Sequence, residues 1–409
     1  MNFFKYLKSG ITTLAVMAMS VPFVGCTDGP NNPKDKSNYK STLLVYAVAT
    51  NSLTGNLVSD KNEMLMAAPE IDLDRYNVLV FETQYKYLED NTRVGNVNLL
   101  KLVKDNQNND YIWETVKEYN DGVASLNPQR MTEVINYVTN TFPSDKYGLV
   151  LWSHSTGAQP DLTSTAIAAA SEVSTSITET LPSLSWFGQD LSVADDEYKY
   201  MNIDVLANVL PDHLFDYIWF DSCYMSNIES IYQLRNKCNY YVGYPTEVLD
   251  SGLPYQYVLP YMNGDKEDLV IAAKAFYDYY STSFGTVGVV DMNGIEALAD
   301  FCKSVFGYTS VPSSSLVKFS RFSTGPFYDL GDYVKAMASE NGSPITESEW
   351  NEVLDKCVLY KATTDGGLLR LYLNPETYSG ISTHLYSFDG DDSDAERYYK
   401  SLDWFKAVF

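Results

Sequence analysis

Short and almost uninterrupted apolar runs limit the folds open to this chain more than any other feature of its sequence. The runs at 42–49, 147–154 and 215–223 contain few polar residues before their last positions. Strands of this kind are typical of parallel sheets that helices cover on both faces. Amphipathic segments at 129–142 and 203–210 lie between the runs and predict helices. We therefore expect an α/β fold in which a mainly parallel central sheet is flanked by helices.

Two of the apolar runs end in side chains that can take part in catalysis. One ends at His154 and the next at Cys223, 69 positions later, and a predicted helix at 225–237 follows. The helix at 203–210 suits a crossover between the two strands, and such crossovers are right-handed and leave the strands parallel. Ligands bind at the carboxyl edge of open α/β sheets. The topology therefore predicts that the imidazole and the thiol meet at one edge.

A thiol beside an imidazole suits nucleophilic catalysis, but each residue also has a simpler explanation. A thiolate attacks carbonyl groups, and an imidazole can help to form it and later protonate the leaving amine. A cysteine after a buried strand is more often a small core residue, however, and a histidine at a strand end is often only a capping group. His213 lies in a polar turn, and His384 could approach the sheet edge, but nothing pairs either with a thiol. The residues alone leave both interpretations open.

The pattern divides the mature chain into two parts. We expect a main domain at 42–310 and a C-terminal α+β subdomain at 311–409 packed on it, with a strand at 368–373 and a last helix at 394–408. Between the His and Cys strands, residues 163–185 are rich in Ser, Thr and Ala. This composition predicts an exposed insertion.

The N-terminal residues predict export and a lipid anchor. Residues 1–25 have a short basic start and an apolar run at 11–24, which is the layout of a secretory signal and too short for a comfortable membrane span. The small residues before Cys26 resemble the lipobox of bacterial lipoproteins, in which this cysteine is lipidated; the alternative is an ordinary cleaved signal. Residues 26–41 predict a polar tether. We expect an exported lipoprotein at the outer membrane or cell surface, with the periplasm as the alternative location.

The charge balance limits the partners. The chain carries 53 acidic and 29 basic residues. Such a surface repels nucleic acid and anionic headgroups and favours cationic partners. We expect no nucleic-acid partner, and we expect a monomer.

The remaining cysteines predict neither a metal site nor a disulfide framework. Cys238, Cys302 and Cys357 have no CxxC spacing and no histidine in metal-site register. Because a chain of this length can fold without cross-links, we expect few or no disulfides.

The segments around His154 and Cys223 resemble a known peptidase family. LVLWSHSTG (149–157) is similar to the strand and histidine motif of the clostripain-like peptidases, family C11 of clan CD, which also holds caspases, legumains and gingipains. FDYIWFDSCYMSNIESIYQLRNKCNYYVGYPTE (215–247) resembles their nucleophile segment. Further similar blocks are WFGQD (186–190), SGLPY (251–255), FYDLGDYVKAM (327–337) and GISTHLY (380–386). The resemblance covers most of residues 42–409 and implies a caspase-haemoglobinase-like fold.

The resemblance implies a cysteine endopeptidase with a Cys–His dyad. By position, Cys223 attacks the scissile carbonyl and His154 is the general acid/base, while the N–H groups of Cys223 and Ser155 form the oxyanion hole. The family usually has glycine where this chain has Ser155, whose Cβ can crowd the site or disfavour an unusual φ. A catalytically degenerate lipoprotein that binds cationic peptides without cleaving them is therefore the alternative.

Clostripain-like enzymes cleave after Arg or Lys, which requires an acidic pocket for the P1 side chain. The resemblance implies Asp221 and Asp250 for this pocket, and substrates are peptides or proteins with basic residues. For Asp221 the alternative is an anion at the N-terminus of the helix that follows Cys223. Some relatives cut themselves after a basic residue between the His and Cys strands. Because this chain has no Lys or Arg from Ser155 to Tyr198, we expect a single chain, or a cut only at Lys199.

No cofactor is required by this chemistry, although family resemblance allows a response to calcium. The acidic segment at 389–396 lacks the glycine that a calcium-binding hand loop has at its sixth position. A capping box formed by Ser393 and Glu396 explains the segment better, and we predict no metal site.

Overall fold

The computed structural model describes residues 39–87, 93–119, 121–155, 186–191, 198–320, 327–369, 371–391 and 393–409. The strands are β1 (Tyr39–Val48), β2 (Tyr76–Tyr87), β3 (Arg93–Asp105), β4 (Asp110–Glu118), β5 (Ser144–Trp152), β6 (Trp186–Leu191), β7 (Tyr198–Asn202), β8 (Phe215–Asp221), β9 (Cys238–Gly243), β10 (Thr286–Asp291), β11 (Phe327–Asp329), β12 (Val358–Thr363) and β13 (Ser382–His384). The α-helices are α1 (Thr54–Ala67), α2 (Pro128–Thr141), α3 (Ile203–Val209), α4 (Ile228–Gln233), α5 (Tyr255–Val258), α6 (Lys266–Tyr280), α7 (Ile295–Val305), α8 (Leu330–Glu340), α9 (Glu347–Leu354), α10 (Asp394–Ser401) and α11 (Asp403–Val408).

The central element is a mixed sheet, to which the described residues contribute nine strands. Their order is β12-β10-β9-β8-β5-β1-β2-β3-β4. The five strands from β9 to β2 are parallel to one another, and the pairs at both ends of the sheet are antiparallel. The predicted α/β class is confirmed, and its parallel part is the centre of the sheet. The edges are antiparallel because β3 returns beside β2 and β10 returns beside β9.

Helices cover both faces of the sheet, and β1 shows how the sequence specifies this. Leu44, Tyr46 and Val48 point into one buried cluster, and the alternate residues point into the other. Both sets are buried because α2, α3, α4 and the C-terminal helices cover one face, while α1, α5 and α6 cover the other. Alternate side chains of a strand point to opposite faces, so an uninterrupted apolar run needs two covered faces.

The residues after 310 are integrated into the same compact unit as the rest of the described chain. β12 extends the central sheet beside β10, and β11 and β13 form a separate two-stranded sheet. The N–H of Ser382 also donates to the carbonyl of Ser226, just after the Cys223 strand. The C-terminal part therefore supports the segment that follows β8.

Three local predictions were wrong. The described residues of 368–373 form no strand, because Gly366 has φ +77° and its carbonyl accepts the N–H of Leu371 in a turn. The last helix is interrupted at Leu402, whose ψ of 158° is extended, so it becomes α10 and α11. The helix predicted at 225–237 is shorter and consists of α4 alone. The N–H of Tyr224 and the carbonyl of Ser226 form hydrogen bonds with other segments, so the helix begins only at Ile228.

The N-terminal predictions fall largely outside the described residues. These include the signal at 1–25, the lipidation site Cys26 and most of the tether; the insertion at 163–185 also lies outside them. β1 begins at Tyr39, so the last three residues assigned to the tether already pair in the sheet. Within the described part of the chain, no helix combines the length and the apolar character needed to span a bilayer.

Candidate active site

The sheet places His154 and Cys223 at the same edge. β5 and β8 are adjacent and parallel, and Trp152 is paired with Asp221. His154 and Cys223 each lie two residues beyond this pair, so the register brings them to the same level. Adjacent strands are separated by about 4.8 Å. Both side chains are half-buried.

His154 is held in a specific environment. The Oγ of Ser52 lies 2.8 Å from its Nε2, and its carbonyl accepts the N–H of Gly188 at 3.0 Å. Burial lowers the pKa of the imidazole. The ring is therefore neutral near pH 7 and can accept a proton from a thiol.

Cys223 lies in a turn that a second segment supports. The N–H of Val248 donates to its Sγ at 3.4 Å, and the thiol contacts the carbonyl of Val248 at 3.8 Å. The next residue, Tyr224, has φ +61°, and its N–H donates to the carbonyl of Thr246 at 2.8 Å. A bulky residue with positive φ is strained, and such strain is typical of functional turns.

Ser155 joins the two strand ends. Its hydroxyl donates to the carbonyl of Cys223 at 2.5 Å. Its backbone forms an isolated antiparallel bridge with Phe187. The side chain, which a glycine would lack, thus forms a hydrogen bond to the residue predicted as the nucleophile.

Asp221 is buried behind Cys223. Its carboxyl group accepts the N–H of Leu253 at 3.1 Å and the hydroxyl of Tyr255 at 3.2 Å. Burial raises its pKa to about 7, although these hydrogen bonds favour the charged form. Asp221 therefore binds the 253–255 segment and does not cap the helix after Cys223.

Two further carboxyl groups lie behind the site, and the sequence patterns did not point to them. Asp60 on α1 accepts the indole N–H of Trp152 at 2.8 Å. Burial, reinforced by the charge of Asp221, raises the pKa of Asp60 to about 9. Burial also raises the pKa of Glu63, one turn further along α1. An acidic residue on the buried face of an amphipathic helix is the signal that could have revealed Asp60.

Asp250 is exposed, and the structure connects it to α1 through its backbone. Its carbonyl accepts the side-chain amide of Asn56 at 2.7 Å. It belongs to the same 246–255 segment that contacts Cys223 and Asp221. The carboxylate of Asp250 itself faces solvent.

The hairpin of β6 and β7, which the sequence did not predict, braces the site. The Asn51 amide donates to the carbonyl of Gln189 at 2.7 Å, and the N–H of Gln189 donates to Ser153 Oγ at 3.1 Å. The carboxylate of Asp190 accepts the N–H of Ser125 at 2.8 Å and also binds the hydroxyl of Thr50. These contacts fix the ends of β1 and β5, which carry the loops around His154.

The other histidines lie in different surroundings. His384 does not pair with the thiol at the sheet edge, since its Nε2 is 2.8 Å from Glu396 and its ring stacks on Tyr399 at 3.8 Å. The backbone N–H of His384 donates to the buried carboxyl group of Glu229. Burial raises the pKa of Glu229. His213 occupies a surface turn with φ +53°.

The remaining thiols and the acidic segment near the C-terminus show no metal-binding arrangement. Cys238, Cys302 and Cys357 are buried and unpaired, and burial raises the pKa of each. Among the residues that the structure describes, no group of three or more His, Cys, Asp or Glu could hold a metal ion. Ser393 caps α10 through the N–H of Glu396, but the Glu396 carboxylate binds His384 rather than completing a capping box.

Comparisons with known proteins show which family this chain is similar to. The model of the clostripain family, peptidase family C11, matches residues 45–363. A secreted C11 cysteine protease from Bacteroides thetaiotaomicron, solved with an irreversible peptide inhibitor, shares 25% identity with a TM-score of 0.71, covering 90% of this chain and 98% of its own. An inactive zymogen C11 protease from Parabacteroides distasonis shares 27% identity with a TM-score of 0.70, covering 91% and 99%. No curated protein sequence matches significantly.

The family match spans most of the described sheet, including β5 and β8, the strands that lead to His154 and Cys223. The fold also matches those of the solved C11 proteases over nine tenths of the chain. The chain therefore belongs to the clostripain family and is a cysteine peptidase.

Proposed function

We propose that the protein is an endopeptidase that cleaves after Arg or Lys, with Cys223 as nucleophile and His154 as general acid/base, and that Cys26 anchors it to the cell envelope. The observation that carries the dyad is the register of β5 and β8, which sets both residues two positions beyond the Trp152–Asp221 pair. A dyad requires this proximity before any question of pKa.

In the proposed reaction, the proton of the Cys223 thiol passes to the neutral imidazole of His154. The thiolate then attacks the scissile carbonyl, and the N–H groups of Cys223 and Ser155 stabilise the oxyanion. The imidazolium protonates the leaving amine as the tetrahedral intermediate collapses to a thioester, which water hydrolyses. The N–H of Val248, which points at Sγ, solvates the thiolate before attack.

Selectivity for basic side chains is supported by the acidic groups around the nucleophile. Asp221 is two residues from Cys223 in sequence and is buried, and Asp60 and Glu63 lie behind it. A guanidinium or ammonium group that reaches Asp221 would stabilise its charged form and lower its raised pKa. Asp250 adds an exposed carboxylate on the segment that covers Asp221. The excess of acidic residues favours cationic substrates at longer range.

One observation favours the alternative, a lipoprotein that binds cationic peptides without cleavage. The main chain of Val248 contacts the sulfur through both its N–H and its carbonyl. A substrate carbonyl must approach the same atom, so cleavage requires the 246–255 segment to leave room for it.

A biotinylated acyloxymethyl ketone with Lys or Arg at P1 tests the enzymatic proposal. We expect it to label wild type and the Cys357→Ala control, but not Cys223→Ala or His154→Ala, because only the first two retain the thiol and its proton acceptor. An uncharged P1 probe should label much more weakly. Folded wild type that binds basic peptides but is never labelled would instead support the non-cleaving alternative.

The proposed anchor has a separate test. In a Gram-negative host, we expect the full chain to partition into the detergent phase, while Cys26→Ser is recovered in the aqueous phase with equal activity. Acyl chains contribute roughly 0.8 kcal/mol per buried CH2, so their loss releases the protein. Aqueous partitioning of the wild type would refute lipidation without affecting the peptidase assignment.

A further inference from the structure

A third strand end contributes to the environment of His154. The sheet order is β8-β5-β1, so the strand of His154 lies between the strand of Cys223 and the strand that leads to Ser52. Ser52 follows β1 in the loop before α1, and its Oγ is 2.8 Å from Nε2 of the imidazole. The ring thus has Ser52 at one nitrogen, while the Cys223 strand end lies on the other side of β5.

The loop that presents Ser52 is tied down on both sides of it. The amide of Asn51 donates to the carbonyls of Val48 and Gln189 at 2.9 and 2.7 Å, and its Oδ1 accepts the N–H of Leu53 at 2.8 Å. Ser52 is exposed, yet its backbone is fixed between two anchored residues. Its contact with the ring is therefore built into the end of the sheet.

The position of this contact decides which ring nitrogen can react. A neutral imidazole has one N–H donor and one acceptor nitrogen, and the hydrogen bond made by one nitrogen selects the role of the other. If Oγ accepts from Nε2–H, Nδ1 keeps a lone pair for an incoming proton. After protonation both nitrogens are donors, and Oγ can still accept from Nε2.

We propose that Ser52 is a positioning residue for His154: its oxygen accepts from Nε2–H, so that Nδ1 is the nitrogen that exchanges protons during catalysis. This inference rests on the proposed Cys223–His154 dyad. In the acylation half, the S–H bond of Cys223 breaks and its proton binds Nδ1, giving a thiolate and an imidazolium. That proton then passes from Nδ1 to the leaving nitrogen, and the ring returns to its Nε2–H form.

The hydroxyl stabilises the imidazolium more than the neutral ring, because hydrogen bonds from charged donors are the stronger ones. Removing it in Ser52→Ala should therefore lower the pKa of His154 by about half to one pH unit. It should also reduce kcat about tenfold, with KM changed less than about twofold, because the hydroxyl acts through the ring of His154. Ser52→Thr keeps the hydroxyl and should restore both values.

NMR observes the imidazole ring of His154 without catalytic turnover. This inference can therefore be tested separately from the proposed function. The chain has three histidines, His154, His213 and His384. Selective 15N labelling of histidine, with the His154 signals assigned by their loss in His154→Ala, gives the tautomer and pKa of His154 by NMR, even if wild type proves inactive. Ser59→Ala, on an exposed position of α1, is the matched control and should match wild type.

We expect a single Nε2–H tautomer in wild type and in Ser52→Thr, and a mixture of tautomers with a lower pKa in Ser52→Ala. An Nδ1–H tautomer in wild type would overturn the proposal. So would a Ser52→Ala variant with unchanged tautomer, pKa and pH profile. If the NMR result is as expected but no variant cleaves or is labelled, the positioning role stands and the proposed function fails.

Discussion

At the scale of single residues, the carboxyl groups buried behind Cys223 have the clearest energetic consequence. Burial raises the pKa of Asp60 to about 9 and that of Asp221 to about 7, from a usual value of 3.8. The folded state therefore binds these protons more tightly than the unfolded state. Their favourable contribution to stability is complete below the unfolded-state pKa and is lost as the pH rises through the folded-state pKa.

Asp60→Asn removes one of these titrations while leaving an oxygen to accept from the Trp152 indole. We expect wild type to lose stability relative to this variant as the pH rises from about 4 to about 9, so that the variant is more stable by about 1–3 kcal/mol at pH 8. Urea denaturation at pH 5 and pH 8 measures the difference. Asp300→Asn, at an exposed position on α7, is the control. If the stability of Asp60→Asn and wild type changed identically with pH, the pKa of Asp60 would be the same in the folded and unfolded states.

The sequence predicted some residues of the site and missed others for a physical reason. His154 and Cys223 follow apolar strands, so the topology rule alone brings them to one edge. Ser52, Val248 and Asp60 reach the site through loop paths and helix packing that no local spacing encodes. Crowding of the site by the Cβ of Ser155 stays a prediction, and the structure adds that its Oγ donates to the carbonyl of Cys223.

At the scale of elements, the β6–β7 hairpin depends on a glycine that positions it against the rest of the site. Gly188 has φ +86°, and a Cβ added there would lie 2.4 Å from Cδ2 of Leu126. Its N–H also holds the carbonyl of His154. A side chain at Gly188 must therefore displace either the hairpin or the core leucine.

Gly188→Ala should lower stability by more than about 2 kcal/mol, because it combines backbone strain with overpacking. Gly122→Ala isolates the strain, since Gly122 has φ +76° and no atom within 4 Å of an added Cβ; we expect a loss of about 1 kcal/mol. Gly55→Ala, at an open helical position, should be neutral or stabilising. Thermal melts of the three variants give the ranking, and equal losses at Gly188 and Gly122 would exclude the clash.

Elements with a strong local period were predicted well, and those defined by distant partners were not. The amphipathic patterns at 129–142 and 203–210 predicted helices close to the observed bounds of α2 and α3. β13 was indicated only by the resemblance of 380–386 to a late strand of the family, because its three residues become a strand by pairing with β11, across more than fifty positions. β6 and β7 pair with each other locally, but their 6 and 5 residues contain no long apolar run that would have marked them as strands.

At the scale of the whole molecule, the polypeptide is expected to remain intact. No Lys or Arg occurs between Ser155 and Tyr198, and Lys199 pairs with Asp190 in the β6–β7 hairpin. Apart from Lys199, a peptidase selective for basic residues therefore has no site of its own in this connection.

Intact mass spectrometry of the purified protein, incubated for hours at high concentration, tests this expectation. We expect one species that lacks only the leader, and the same species from Cys223→Ala. Lys199→Gln should not change the result. Two stoichiometric fragments from wild type, absent in Cys223→Ala, would mean that the protein matures by cutting itself.

Because β5 and β8 share one register, the distance between Cys223 and His154 does not depend on how many residues connect the two strands. Hydrogen bonds between the two strands set how far apart the sulfur and the imidazole lie, and these bonds are the same whatever number of residues leaves one strand and returns to the other. Evolution or an engineer can therefore lengthen, shorten or replace residues 163–185 without changing the spacing between the sulfur and the imidazole.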